Sequence, residues 1–188
     1  MLNLQVIVVS TRPGRKGPLV ADWFLEIAKK SPHFEVELVD LAEVNLPLFD
    51  EANHPRQQKY EHEHTKRWSE IVDRGDAYVF VTPEYNYGTP PSLTNALTYL
   101  GYEWSYKPAA FVSYGGVSGG TRSVESTKSI LTTLGVMPLP QAVALPFFGK
   151  SIDAETNEFA PAERQSEAAT KVLDELARWA KALKPMRA

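Results

Sequence analysis

LQVIVVSTRPGRKGPLVADWFLEIAKKSPHFEVELVD, residues 4–40, sets the pattern by which the rest of the chain is read. It opens on an apolar, largely β-branched run, Leu4-Gln5-Val6-Ile7-Val8-Val9, which breaks at Ser10-Thr11-Arg12-Pro13-Gly14 as a buried strand feeding a loop does. Pro18 suits a first helical turn, and Leu19, Val20, Trp23, Phe24 and Ile27 recur at helical spacing to about Lys30. Phe34 to Val39 then alternates and ends in Asp40, which predicts a second strand nearer a sheet edge. The product is a β-α-β unit.

The same alternation continues outward. Pro55 is expected to start a polar helix with Tyr60, His64, Trp68, Ile71 and Val72 facing inward, closed by Gly75. Ala77 to Thr82 reads as a third buried strand that breaks into the long turn Pro83 to Pro91, after which Ser92 can cap a short helix bearing Leu93, Ala96, Leu97 and Leu100. Ala109 to Ser113 makes a fourth strand, followed by a glycine-rich loop and a helix from about Thr121 to Leu134. Pro138 to Ala144 gives a weaker fifth strand, and Ala162 to Leu183 a closing amphipathic helix. Five strands alternating with helices predict an α/β fold, a three-layer, doubly wound parallel sheet. The flavodoxin-like order 2-1-3-4-5 fits that count better than the six-stranded dinucleotide fold.

Twenty Lys+Arg against 23 Asp+Glu leave a net charge of -3 on 188 residues, without the basic stripe that gripping nucleic acid needs. With 43% hydrophobic and 23% charged residues the chain can bury a sizeable core, and residues 1–188 are expected to form one domain. Zero cysteines exclude disulfides, thiolate metal sites and thiol nucleophiles. The early apolar run is too short and wrongly flanked for a signal peptide or membrane span, so a cytoplasmic protein without membrane partners is expected. His62 and His64, with Glu61 and Glu63, are not expected to bind metal, because two residues apart on a helix they face different ways.

In an open α/β sheet the ligand crevice lies outside the carboxyl ends of the strands, and three unusual loops fall there. Ser10 to Gly17 offers hydroxyls, Arg12, Arg15 and the amides opening a helix, which makes either an anion cradle or a solvated basic turn. It is neither a G-x-x-x-x-G-K-[ST] loop nor a G-x-G-x-x-G turn. Pro83 to Pro91, with Tyr85, Asn86 and Tyr87, can present a flat apolar surface to a planar heteroaromatic ring, or serve as a rigid structural turn. Glu84 reads either as a ring-orienting or catalytic carboxylate or as an ion-paired, helix-capping one. Ser113 to Gly120 allows close backbone approach to a ligand, although such turns also arise for steric reasons.

These three segments, Ser10-Thr11-Arg12-Pro13-Gly14-Arg15, Pro83-Glu84-Tyr85-Asn86 with Pro90 to Ala96 behind it, and Ser113-Tyr114-Gly115-Gly116-Val117-Ser118-Gly119-Gly120, resemble the NADPH-dependent FMN reductase family. That flavodoxin-like family includes flavin, quinone, azo and chromate reductases, and the likeness runs over about residues 4 to 145. The resemblance implies Ser10, Arg12, Arg15, Gly17, Pro18 and Val20 around an FMN phosphate. It implies Pro83, Glu84, Tyr85, Asn86 and Tyr87 along the isoalloxazine, and Ser113, Tyr114, Gly115 and Gly116 near its other edge. The sequence departs from the family at Val9, where a glycine is common, and at Gly17-Pro18, where a serine is often found.

The resemblance also implies an NADPH donor, with NADH possible, hydride passage to the flavin, and delivery to a small acceptor by a ping-pong scheme that needs no catalytic acid. A homodimer or homotetramer is expected, and Tyr87, Tyr99, Tyr102, Trp104 and Tyr106 are candidate interface aromatics. The main rival is a flavodoxin-type electron carrier without reductase activity, which the two loop arginines disfavour. A phosphoacceptor signalling domain would need acids after the first strand, where Ser-Thr-Arg stands.

Overall fold

The computed structural model describes residues 1–187. Its central strands are β1 (Leu2–Val8), β3 (Ala77–Pro83) and β4 (Pro108–Tyr114), with β2 (Phe34–Asp40) outside β1. All pairings are parallel and the order is β2-β1-β3-β4-β5, as the alternation predicts. The helices are α1 (Gly17–Ala28), the single turn α2 (Leu41–Val44), α3 (Glu63–Asp73), α4 (Pro91–Thr98), α5 (Thr121–Thr133) and α6 (Glu163–Leu183).

Side chains of a strand alternate between faces, and the central strands are apolar on both. Leu4, Val6 and Val8 of β1 enter a core with Val20 and Phe24 of α1 and Val172 and Leu176 of α6. Ile7 and Val9 enter a second core with Trp68 of α3, Leu93 and Leu97 of α4 and Val124 and Leu131 of α5. The result is three layers, with every strand's carboxyl end at the same rim.

The fifth sheet position departs from expectation. Instead of one strand over 138–144 there are two, β5 (Met137–Pro138) and β6 (Val143–Leu145), both paired with β4. Pro138 and Pro140 have no N–H to give to the ladder, so pairing survives through Leu139 N–H on the Ala109 carbonyl (2.8 Å) and then lapses.

The helix expected from Pro55 is also shorter. Pro55–Gln57 is a 3-10 turn ended by Gln58 in a left-handed conformation (φ 51°), and α3 starts only at Glu63. The reason is Glu51, whose carboxylate accepts from the Glu61 and His62 N–H groups (2.9 and 3.1 Å) and fixes the entry to α3. His62 therefore precedes the helix, and its ring stacks on that of His64 with centroids 5.1 Å apart, instead of facing away. Thr65, Trp68 and Val72 form the buried stripe, while Tyr60 lies off the helix and donates to buried Glu103 (2.6 Å). Ser92 does not cap α4; its hydroxyl donates to the Val9 carbonyl (2.7 Å). Of the candidate interface aromatics, Tyr99 and Trp104 pack wholly inside the chain, whereas Tyr87, Tyr102 and Tyr106 are exposed.

Candidate functional site

The loops after β1, β3 and β4 enclose a cleft of about 470 Å³ at the carboxyl rim of the sheet. Nine of the residues singled out in the sequence line it: Ser10, Arg12, Arg15, Pro83, Glu84, Tyr85, Tyr114, Gly115 and Gly116. Lys16 and the turn Phe147–Lys150, which sequence reasoning missed, complete the wall. The turn follows β6, and the rule that found the other loops would have found it had the strand been placed at 143–145.

The first loop is built by close packing at Gly17. A Cβ there would stand 2.4 Å from Ser10 Oγ and 2.8 Å from the Tyr114 hydroxyl, so only glycine lets both oxygens settle against the start of α1. Tyr114 donates to Ser10 Oγ (3.1 Å). Burial pushes the Tyr114 hydroxyl up to about 12, so it keeps its proton at neutral pH. Helix α1 has no side-chain cap and no acid in its first turn, which leaves its amides and dipole available to an anion.

The two arginines of this loop are not equivalent. Arg15 Nη1 donates to Asp40 Oδ1 (2.5 Å) and to the Ser10 carbonyl (2.9 Å), so its charge is already matched and its guanidinium braces the loop. That hydrogen bond to Asp40 raises the Arg15 pKa still further despite partial burial. Arg12 is exposed and has no carboxylate partner among the described residues; the one hydrogen bond of its side chain is to the Pro13 carbonyl (3.4 Å). Lys16, at the N-cap of α1, donates to Asn157 Oδ1 (2.9 Å) and likewise carries unmatched charge. Of the two arginines singled out in this loop, Arg15 is thus ion-paired within the chain, whereas Arg12, like Lys16, has no carboxylate partner among the described residues.

In the second loop Asn86 and Tyr87 both have positive φ (51° and 66°), and Tyr85 and Gly88 exchange backbone hydrogen bonds (3.3 and 2.9 Å). This is a two-residue hairpin turn of the type that asparagine favours. Its tip, Asn86 and Tyr87, is exposed and does not line the cleft, while Tyr85 lines the wall with a buried hydroxyl that has no partner among the described residues. Glu84 proves to be the ion-paired, helix-capping carboxylate: it accepts from Arg122 Nε (2.7 Å), from the Arg122 N–H at the start of α5 (3.1 Å) and from Ser118 (3.0 Å). Burial would raise its pKa, but these donors hold it below the ordinary carboxylate value. Arg122 also lies over the Tyr87 ring at 3.7 Å, so one guanidinium ties the second loop to the third.

Four of the remaining sequence candidates sit behind the wall. Gly17 and Pro18 form the first turn of α1, Val20 is wholly inside the core with its N–H on the Lys16 carbonyl (3.4 Å), and Ser113 is fully buried with an unpartnered hydroxyl. No group of three or more His, Asp or Glu side chains suited to a metal occurs among the described residues. No described helix is long and apolar enough to cross a membrane.

The model of the NADPH-dependent FMN reductase family matches residues 2–150, the stretch that carries β1 to β6 and every wall of the cleft. The chain belongs to this family. It is 44% identical over 120 residues to an NAD(P)H-dependent FMN reductase of Schizosaccharomyces pombe, a match spanning 63% of this chain and 60% of that protein. It is 32% identical over 167 residues to an NAD(P)H-dependent FMN reductase of Saccharomyces cerevisiae, covering 76% of this chain and 87% of that one. A quinone reductase of Pseudomonas putida is 32% identical over 148 residues, 74% of this chain and 76% of its own. In fold, the chain superposes on the flavoenzyme FerB of Paracoccus denitrificans with a TM-score of 0.75 at 21% identity, covering 97% of this chain and 98% of that one.

Family membership makes the chain an FMN-dependent NAD(P)H oxidoreductase of flavodoxin-like fold. The residues present suit that cofactor: unmatched cations beside an uncapped helix for a phosphate, a glycine-backed pair of oxygens, and a Tyr85 hydroxyl lacking a partner. When bound, FMN supplies the electron-accepting and electron-donating chemistry, and the chain supplies grip, orientation and exclusion of water.

Proposed function

We propose that the cleft holds FMN with its phosphate at the start of α1 and its ring between Tyr85 and the Gly115-Gly116 backbone, and that NAD(P)H and a small acceptor use the same open face in turn. The acceptor class is quinones, free flavin, azo compounds or metal oxyanions. One observation carries the reading: Arg12 and Lys16 stand without carboxylate partners at the uncapped end of α1, and Tyr85, Gly115 and Gly116 line the same cleft. The single acid lining the cleft, Glu84, is held by Arg122, and Arg15 by Asp40, so the described lining offers no unpaired carboxyl group. Orientation of the two partners against the ring is therefore what the protein contributes.

In this reading residues 1–188 act as one unit in the cytoplasm, and copies associate as a homodimer or homotetramer. Purified chain loaded with FMN should lose its flavin absorbance on anaerobic addition of NADPH or NADH and regain it on addition of a quinone. Double-reciprocal plots should be parallel. A flavin that neither nicotinamide bleaches would leave an electron carrier in place of a reductase, and intersecting lines would require donor and acceptor to bind together.

A further inference from the structure

The cleft carries more positive charge than one phosphate needs. Four cationic side chains line it, Arg12, Arg15, Lys16 and Lys150, against the single acid Glu84. The pairs Arg15–Asp40 and Arg122–Glu84 cancel, which leaves Arg12, Lys16 and Lys150 without a carboxylate partner among the described residues. A phosphate monoester brings about -1.5 to -2 at neutral pH, and Arg12 with Lys16 already meets it. Lys150 is the surplus cation.

Lys150 is also held differently from the other two. It sits in the turn after β6, where Phe147 has a left-handed backbone (φ 49°) and donates its N–H to the Gly116 carbonyl (2.9 Å), while Lys150 N–H donates to the Phe147 carbonyl (2.8 Å). The Phe148 ring packs edge-on against Tyr114 with centroids 4.9 Å apart, so the turn is fastened to the glycine loop that forms the cleft wall. Phe147 is nonetheless 51% exposed, and the Lys150 ammonium lies 5.2 Å from its ring centre. A fixed turn thus presents a half-exposed aromatic ring with a cation over one of its faces in the wall of the cleft.

We propose that the Phe147–Lys150 turn docks the adenosine end of the nicotinamide donor, with Lys150 reading the 2′-phosphate that distinguishes NADPH from NADH. The inference rests on FMN occupying the cleft as set out above. Calorimetric titration of NADP+ and NAD+ into FMN-loaded protein tests it without any turnover. Lys150→Ala should weaken NADP+ binding about tenfold or more, leave NAD+ and FMN within about twofold, and Lys150→Arg should restore NADP+. An exposed lysine on a pinned turn can be truncated without unfolding the chain. Unchanged NADP+ affinity, an equal loss for NAD+ and NADP+, or a loss confined to FMN would each overturn the assignment of Lys150 while leaving FMN binding itself standing. Failure of the unaltered chain to take up FMN would overturn the reading of the cleft, and this one with it.

Discussion

At the scale of single residues, the cleft separates side chains that carry charge outward from those that spend it on the protein itself. The Arg12 side chain is exposed and bonded only to a neighbouring carbonyl, so its truncation removes no long-range contact from the fold. Arg12→Ala should weaken FMN by roughly ten- to hundredfold, the worth of about 1.5–3 kcal/mol of charge-assisted hydrogen bonding, and leave riboflavin affinity unchanged. Equal losses for the two flavins, read by fluorescence quenching, would mean that Arg12 does not meet the phosphate. Arg15 differs, because its partner Asp40 is also the N-cap of α2, accepting from the Ala42 N–H (2.9 Å). That distinction was invisible in Ser-Thr-Arg-Pro-Gly-Arg: composition marks both arginines as donors, and only the crossover that brings the end of β2 beside the first loop spends one of them.

At the scale of elements, the sequence was legible wherever period alone decides structure. The runs Leu4 to Val9, Ala77 to Thr82 and Ala109 to Ser113 are strands because both faces are apolar, and α5 and α6 fall where their spacing predicts. What the sequence hid depended on partners far along the chain. Glu51 delays the start of α3 by capturing amides ten or more residues on, and the missed turn at Phe147 followed from reading one strand through Pro140. Lys107, just before β4, is a similar long-range partner. It is buried and donates to the Val72 and Asp73 carbonyls (3.0 and 2.8 Å) at the carboxyl end of α3, where the helix dipole favours a cation. Burial pushes its pKa down to about 8 from an ordinary 10.5. Between those values the unfolded chain holds a proton that the folded chain has released, so stability rises with pH across the window by up to about 1.4 kcal/mol per unit. Thermal unfolding from pH 7 to 11 should show the difference between unaltered protein and Lys107→Met growing over that interval; a flat difference would mean that Lys107 stays charged inside.

At the scale of the whole molecule, the surface keeps several large apolar side chains in solvent, among them Leu48 (84% exposed), Val117 (75%) and Tyr87 (71%). Association through these faces is the expected outcome, and sedimentation at micromolar concentration should give at least twice the 21.0 kDa chain mass. A 21.0 kDa species with flavin bound would make those residues a monomer's surface instead. The proline break between β5 and β6 has a further consequence for how copies meet. A sheet's outermost strand is ordinarily a template on which another chain can lay its own backbone, and runaway stacking starts there. Here that margin is a two-residue piece and a three-residue piece with Pro140 between them. An arriving strand finds no continuous row of free amides to pair with, so copies of this chain can gather by their faces without being drawn into fibres along this edge.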